Sequence, residues 1–301
     1  MGLSGLEIYK KLPQTNCGEC DVPTCLAFAM KLAGGQAELA KCPHVSDEAK
    51  AELAESSAPP IKGIKMGSGD DEVKIGEETV LFRHEKRFEN PTAIAVELSD
   101  DDSDFDKKLD EILSISIDRI GLTLAVDAIA VKATDNAKFA SAVEKVASKS
   151  GKGIVLVSED PAAIEAAIAK AADKNPIIAS ATAGNWEKMA EIAKANNATL
   201  IVKGKDSNEA AELTEKISAA GAENLIIDSG ARSLATALAD QINIRRLALK
   251  KKFRPLGYPT AIMAEEMASD ALEQSAVAST FVAKYGGLVI LSGVKAAHIY
   301  P

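Results

Sequence analysis

Residues 177–203 read IIASATAGNWEKMAEIAKANNATLIVK. Ile177–Ser180 and Thr199–Lys203 are short apolar runs without polar alternation, as expected of parallel strands covered on both faces. Trp186–Ala195 between them is amphipathic, and Asn185 stands ahead of it where it can cap open N–H groups. The same strand–helix unit recurs in both directions. Further strands are expected at Ala93–Leu98, Val126–Val131, Ile154–Ser158, Leu225–Asp228, Thr260–Ala264 and Leu288–Leu291. Helices are expected at Phe105–Ile120, Asn136–Lys149, Ala162–Ala172, Ser207–Ala220 and Ser233–Gln241, with Asp106, Asp135, Asp160 and Asp206 at or just before their starts. Eight strands alternating with helices over about 200 residues is the count of a (β/α)8 TIM barrel. A doubly wound open sheet would place a glycine-rich phosphate loop after its first strand. Here that strand runs into Ser99-Asp-Asp-Asp-Ser-Asp104, which repels phosphate.

Composition agrees. The chain of 301 residues is 47% hydrophobic but only 4% aromatic, so its core is aliphatic and alanine-rich. A net charge of −9 without a long basic cluster counts against nucleic-acid binding. Arg245, Arg246, Lys250–Lys252 and Arg254 form one local basic patch, read as a solvated helix end and loop. No window approaches the roughly 20 apolar residues of a membrane span. The expectation is a soluble, cytoplasmic protein.

Working towards the N-terminus, residues 58–90 read as a linker and a small hairpin, with Val73–Ile75 turning at Gly76-Glu77-Glu78 into Thr79–Arg83. Composition already turns Ser/Pro/Gly-rich from about Glu55 to Asp71. Residues 1–57 hold all four cysteines of the chain, Cys17, Cys20, Cys25 and Cys42, in the pattern C-x2-C-x4-C-x16-C. Disulfides would need an oxidising compartment, and the N-terminus has no apolar signal segment. A C-x-x-C redox pair belongs at a strand-to-helix junction and leaves two thiols unexplained. Structural zinc prefers paired C-x2-C knuckles or Cys/His mixtures. A [4Fe–4S] cluster takes thiolates from a compact loop plus one distant residue, and Pro43 follows Cys42 as in ferredoxin-type runs. The spacing favours the cluster, with zinc the competing reading. Residues Thr24–Leu39 read as a helix broken at Gly34-Gly35. His44 is read as a solvated side chain rather than a fifth ligand.

The barrel mouth offers Glu97, Ser99, Asp100, Lys132, Thr134, Ser158, Glu159, Ser180, Thr182, Asn185, Lys203, Asp228, Ser229 and Ser292 at strand ends. No pair has a spacing that names a reaction, and no catalytic residue is assigned. The Asp100-Asp101-Asp102 run reads as a solvated loop leading a helix. His84 lies in the hairpin and His298 in the tail, so imidazole acid–base chemistry at the mouth is not expected. After Leu291 too few residues remain for a full eighth helix, so more chain is expected beyond residue 301, or a partner covering the gap.

The stretch Leu12-Pro-Gln-Thr-Asn-Cys17-Gly-Glu-Cys20-x4-Cys25, then Lys41-Cys42-Pro43 and an alanine-rich barrel, resembles the large subunit of the corrinoid iron–sulfur protein family, with its archaeal gamma-subunit counterparts of acetyl-CoA decarbonylase/synthase. The resemblance spans the whole chain. It implies that Cys17, Cys20, Cys25 and Cys42 hold a low-potential [4Fe–4S] cluster ahead of a TIM barrel over 91–301. It also implies a C-terminal corrinoid domain, expected outside these residues, and a small TIM-barrel subunit as heterodimer partner. The family carries a methyl group on cobalt from a methyltetrahydropterin, through a methyltransferase, to acetyl-CoA synthase. Its cluster returns Co(II) to Co(I). The alternative is a barrel methyltransferase that binds the methylpterin itself, with Asn185 and Asp228 as contacts.

Overall fold

The computed structural model describes residues 4–33, 37, 39–46, 48–50, 53, 59–82 and 84–300. The chain divides into two compact units, Met1–Pro59 with Lys250–Lys252, and Pro60–Leu249 with Phe253–Pro301.

In the first unit, helix α1 (Gly5–Lys11) opens with a capping box in which Ser4 and Glu7 satisfy each other's backbone N–H groups. Helix α2 spans Cys25–Ala33, and a 3-10 turn covers Leu39–Lys41. The expected break at Gly34-Gly35 lies outside the described residues. Ile8, Leu12, Val22, Phe28, Ala29, Val45 and Leu53 form the core, with Cys20, Cys25 and Cys42 inside it.

The second unit is an eight-stranded parallel barrel. Its strands in chain order are β3 (Ala93–Ser99), β6 (Ala128–Lys132), β7 (Gly153–Val157), β8 (Ile177–Ala181), β9 (Thr199–Lys203), β10 (Leu225–Asp228), β11 (Ala261–Met263) and β12 (Leu288–Leu291). Each pairs with the next, and β12 pairs with β3. The remaining seam, β10 to β11, is joined by a parallel bridge between Ile227 and Thr260, with the Ile227 N–H donating to Pro259 at 2.8 Å. The barrel interior is a cluster of alanine and larger aliphatic residues, among them Ala93, Ala95, Ala128, Ala130, Ile201 and Leu288. A second cluster joins the outer strand faces to the surrounding helices. Asp135, Asp160 and Asp206 accept N–H bonds at their helix starts as expected, and Asp270 does the same ahead of Ala271–Ala283. No helix among the described residues is long and apolar enough to cross a membrane.

The structure corrects four expectations. Strand β2 (Val73–Ile75) pairs antiparallel not with Thr79–Phe82, which form no strand, but with β1 (Ile64–Met66), inside the presumed linker. The cause is burial: Ile64, Met66 and Ile75 join the barrel-interior cluster and close its N-terminal end. Arg83 lies outside the described residues.

The helix expected over Phe105–Ile120 ends at Leu113. Beyond it, β4 (Ser116–Arg119) and β5 (Leu122–Ala125) form a hairpin whose two loop residues, Ile120 and Gly121, both have positive φ. That is the φ signature of a tight two-residue hairpin turn. Ile117 and Arg119 share one face with Leu122 and Leu124. This mostly apolar face is open to solvent, with Ile120 97% and Leu122 68% exposed.

The helix expected over Ser233–Gln241 runs from Leu234 to Lys250, burying Ile244, Arg245 and Ala248. Arg245 is therefore a core residue and not part of a solvated patch. The stretch Ala162–Ala172 splits into a helix Pro161–Ile168 and a 3-10 segment Ala169–Lys174.

Candidate metal centre and barrel mouth

The cysteine loop is shaped by its backbone before its thiols. Gln14, Asn16, Gly18 and Asp21 all have positive φ, so the chain coils tightly between helices α1 and α2. The Asn16 side chain fixes that coil: its Oδ1 accepts from the Cys25 N–H at 2.8 Å. The Asn16 N–H in turn approaches the Cys25 Sγ at 3.4 Å. Cys42 arrives from the 3-10 turn, its N–H donating to Leu39 at 3.0 Å. All four thiols are free; Cys17 is exposed and Cys20, Cys25 and Cys42 are buried in one apolar core.

This donor set fits an iron–sulfur cluster in its chemistry. The candidate donors are all sulfur, three are buried in an apolar core, and a backbone N–H is directed at one of them. His44 pairs with Glu19 at 2.9 Å. Cys17, Glu19 and His44 bring their sulfur, oxygen and nitrogen within 4.8 Å of one another, all exposed.

The barrel mouth is built by strand parity. Ala95, Ala130, Ile201, Ile226 and Met263 face inward. Two residues on, the same parity presents Glu97, Lys132, Lys203 and Asp228; Glu265 follows β11 in a 3-10 turn over Ala264–Glu266. Lys132 Nζ meets Glu97 Oε1 at 3.3 Å, and Lys203 Nζ meets Glu159 Oε1 at 3.0 Å. Arg232 grips buried Asp228 with two bonds, 3.0 and 2.7 Å, and its Nε reaches Glu266. Burial works against the Arg232 charge, but Asp228 and Glu266 outweigh it and hold the guanidinium protonated. Burial raises Glu97, with Lys132 opposing. It pushes Glu265 up to about 8, helped by the negative charge of Glu97.

The other expected mouth residues serve the scaffold. Asp100 accepts from the Thr134 and Asp135 N–H groups, at 2.9 and 3.1 Å, and so ties two loops together. Asp102 accepts from Lys108 and from the Asp104 N–H within the helix-leading loop. Asn185 accepts from the Thr182 N–H at 2.7 Å and donates to Glu159 and Ser180. Ser292 bonds Gln274. His84 stacks on Phe82.

Glu265 and Arg232 were missed in the sequence. Arg232 stands four residues from Asp228 and Glu265 follows β11 in a 3-10 turn, so neither carries a periodic signal.

These features define an α/β-barrel protein with a separate thiol-rich module. Residues 63–301 match a family model described as the CO dehydrogenase/acetyl-CoA synthase delta subunit, and residues 12–44 match one described as "Putative Fe-S cluster". The corrinoid/iron–sulfur protein large subunit of Moorella thermoacetica is 45% identical over all of this chain and 68% of its own length. Subunit gamma 2 of the acetyl-CoA decarbonylase/synthase complex of Methanosarcina thermophila is 34% identical, over 97% of this chain and 67% of that protein. Among solved structures, a truncated 3-deoxy-D-arabino-heptulosonate 7-phosphate synthase from Thermotoga maritima aligns at 15% identity and TM-score 0.48, over 75% of this chain and 78% of that one. The chain belongs to the family of corrinoid/iron–sulfur protein large subunits.

Proposed function

We propose that the chain is the electron-relay and scaffold part of a corrinoid iron–sulfur methyl carrier, with Cys17, Cys20, Cys25 and Cys42 as the ligands of a [4Fe–4S] cluster. The observation that carries this is the all-sulfur site itself, three of its thiols buried in one apolar core. When bound, the cluster supplies low-potential electrons for returning a Co(II) corrinoid to Co(I). The chain's own residues hold it: Asn16 locks the loop, and Val22, Phe28 and Val45 keep water from the buried sulfurs. A dry shell and N–H bonds to sulfur are the two levers by which a protein sets a cluster's potential. We assign no corrinoid contact to residues of this chain.

The methyl group would come from a methyltetrahydropterin through its methyltransferase and leave to acetyl-CoA synthase. The alternative, pterin binding by this barrel, is disfavoured by hydrogen bonding. Asn185 and Asp228 already spend their polar atoms on Thr182, Glu159, Gly230 and Arg232. Anaerobic EPR with metal analysis tests the reading. About four irons per chain and a signal on low-potential reduction are expected. Zinc without iron would sink it.

The small barrel subunit is the proposed heterodimer partner, and the open apolar face of the β4–β5 hairpin supports an interface there. An isoleucine at positive φ and almost fully exposed is costly in the free chain. Ile120→Asn is expected to leave the melting temperature unchanged or raised while weakening subunit association about tenfold or more. Unchanged association in sedimentation would place the interface elsewhere.

A further inference from the structure

The exposed corner of the proposed cluster site is Cys17, while Cys20, Cys25 and Cys42 lie buried in an apolar core. Among the described residues, Cys17 is also the one thiol grouped with other donor atoms. Its Sγ, a Glu19 carboxylate oxygen and a His44 ring nitrogen all lie within 4.8 Å of one another. Gly18, at positive φ, makes the turn that brings Glu19 back beside Cys17. His44 Nε2 donates to Glu19 Oε2 at 2.9 Å, which ties the carboxylate to the turn just past Cys42. An exposed charge pair of this kind adds little to stability, so the fold itself has little use for one at this place.

We propose that Glu19 is a reserve ligand for the iron at the Cys17 corner: when the Cys17 thiolate leaves that iron, a Glu19 carboxylate oxygen takes its place. The exchange breaks one Fe–S bond and forms one Fe–O bond. The thiolate leaves with its electron pair and is protonated by water, and no iron changes oxidation state. The chemistry selects Glu19 over His44. A carboxylate is anionic like the thiolate it replaces, so the charge of the cluster with its ligands is kept, whereas a neutral imidazole would change it. His44 is a positioning residue: its N–H holds Oε2 and leaves the other Glu19 oxygen, which has no bond among the described residues, for the iron. Tethered so close to Cys17 along the chain, the carboxylate meets that iron at a high effective concentration and outcompetes water. This role for Glu19 rests on the reading of the four cysteines as [4Fe–4S] ligands.

Iron analysis and EPR of anaerobically purified variants test the proposal. Cys17→Ala is expected to keep about four irons per chain, with a raised reduction potential because a carboxylate donates less to iron than a thiolate. Cys17→Ala combined with Glu19→Gln, which keeps the shape and removes the anionic donor, should fall to about three. Should Cys17→Ala not fold, Glu19→Gln alone answers the question. It keeps Cys17 and about four irons as isolated, but should lose its first iron to an excess of a ferrous chelator several-fold faster than the native chain. About three irons or fewer in folded Cys17→Ala would overturn the proposal, as would about four in the double variant or equal rates of iron loss from Glu19→Gln and the native chain. Failure of the cluster reading itself shows separately, as zinc or too little iron in the native chain, and would take this role for Glu19 with it.

Discussion

Cys42→Ala is expected to cost the protein its four-iron cluster. Cys42 is 5% exposed and shares its core with Cys20 and Cys25. In the proposed set it is the distant ligand, delivered by a 3-10 turn whose last bond runs from the Cys42 N–H to Leu39. An alanine there leaves three thiolates and an apolar gap beside Val45 and Leu53. Iron should fall from about four to about three or fewer per chain, with loss of the low-potential EPR signal. Retention of a four-iron cluster would show that Cys42 is not a ligand.

The second large effect lies at the N-terminal end of the barrel strands. Arg245 is 6% exposed, 3.5 Å from equally buried Glu78, and lies over the rings of Tyr285 and Phe88 at 4.7 and 5.4 Å. The two atoms of that contact, Glu78 Oε2 and Arg245 Nη1, each lack a hydrogen-bond partner among the described residues. Burial raises Glu78 above the usual carboxylate range despite Arg245, and lowers Arg245 despite Glu78. Breaking such a pair on one side strands a buried charge. Arg245→Met should therefore lower stability by about 3–5 kcal/mol near pH 8.

The loss must depend on pH. A carboxyl whose folded pKa is raised contributes fully below its unfolded pKa, and that contribution is lost as pH rises through the folded value. Without Arg245 the folded value of Glu78 rises further, so the variant should be damaged less at pH 5 than at pH 8. Glu78→Gln added to Arg245→Met should recover much of the deficit. Urea denaturation at both pH values checks this, and an equal loss at pH 5 and pH 8 would mean that packing against Tyr285 and Phe88 dominates the site.

Much of this architecture is legible in one dimension because its signals are local. Thr199–Lys203, Leu225–Asp228 and Leu288–Leu291 are strands at the residues read, and Asn136–Lys149 and Trp186–Ala195 are helices at theirs. A strand buried on both faces announces itself as an unbroken apolar run, and a helix start as an Asp that reaches its own N–H groups two and three residues on. The hairpin at 116–125 was hidden because Leu113, Ile117 and Ile120 fall at helical spacing (i, i+4, i+7), and only the positive φ at Ile120 and Gly121 ends the ambiguity.

By itself the sequence determined the alternation of strands and helices, the barrel it adds up to, and the grouping of four cysteines in one short module. Each of these is written in residues close enough along the chain to act on one another before the fold exists. Tertiary structure alone decided the rest. It sent Ile64, Met66 and Ile75 to close the barrel, took Arg245 out of solvent, and paired Lys132 with Glu97 and Lys203 with Glu159 across long sequence separations. It also buried Glu265 Oε2 without a hydrogen-bond partner among the described residues. Burial and charge pairing are properties of neighbours in space, and a charged side chain reads the same in one dimension whether water, a counter-ion or nothing at all awaits it.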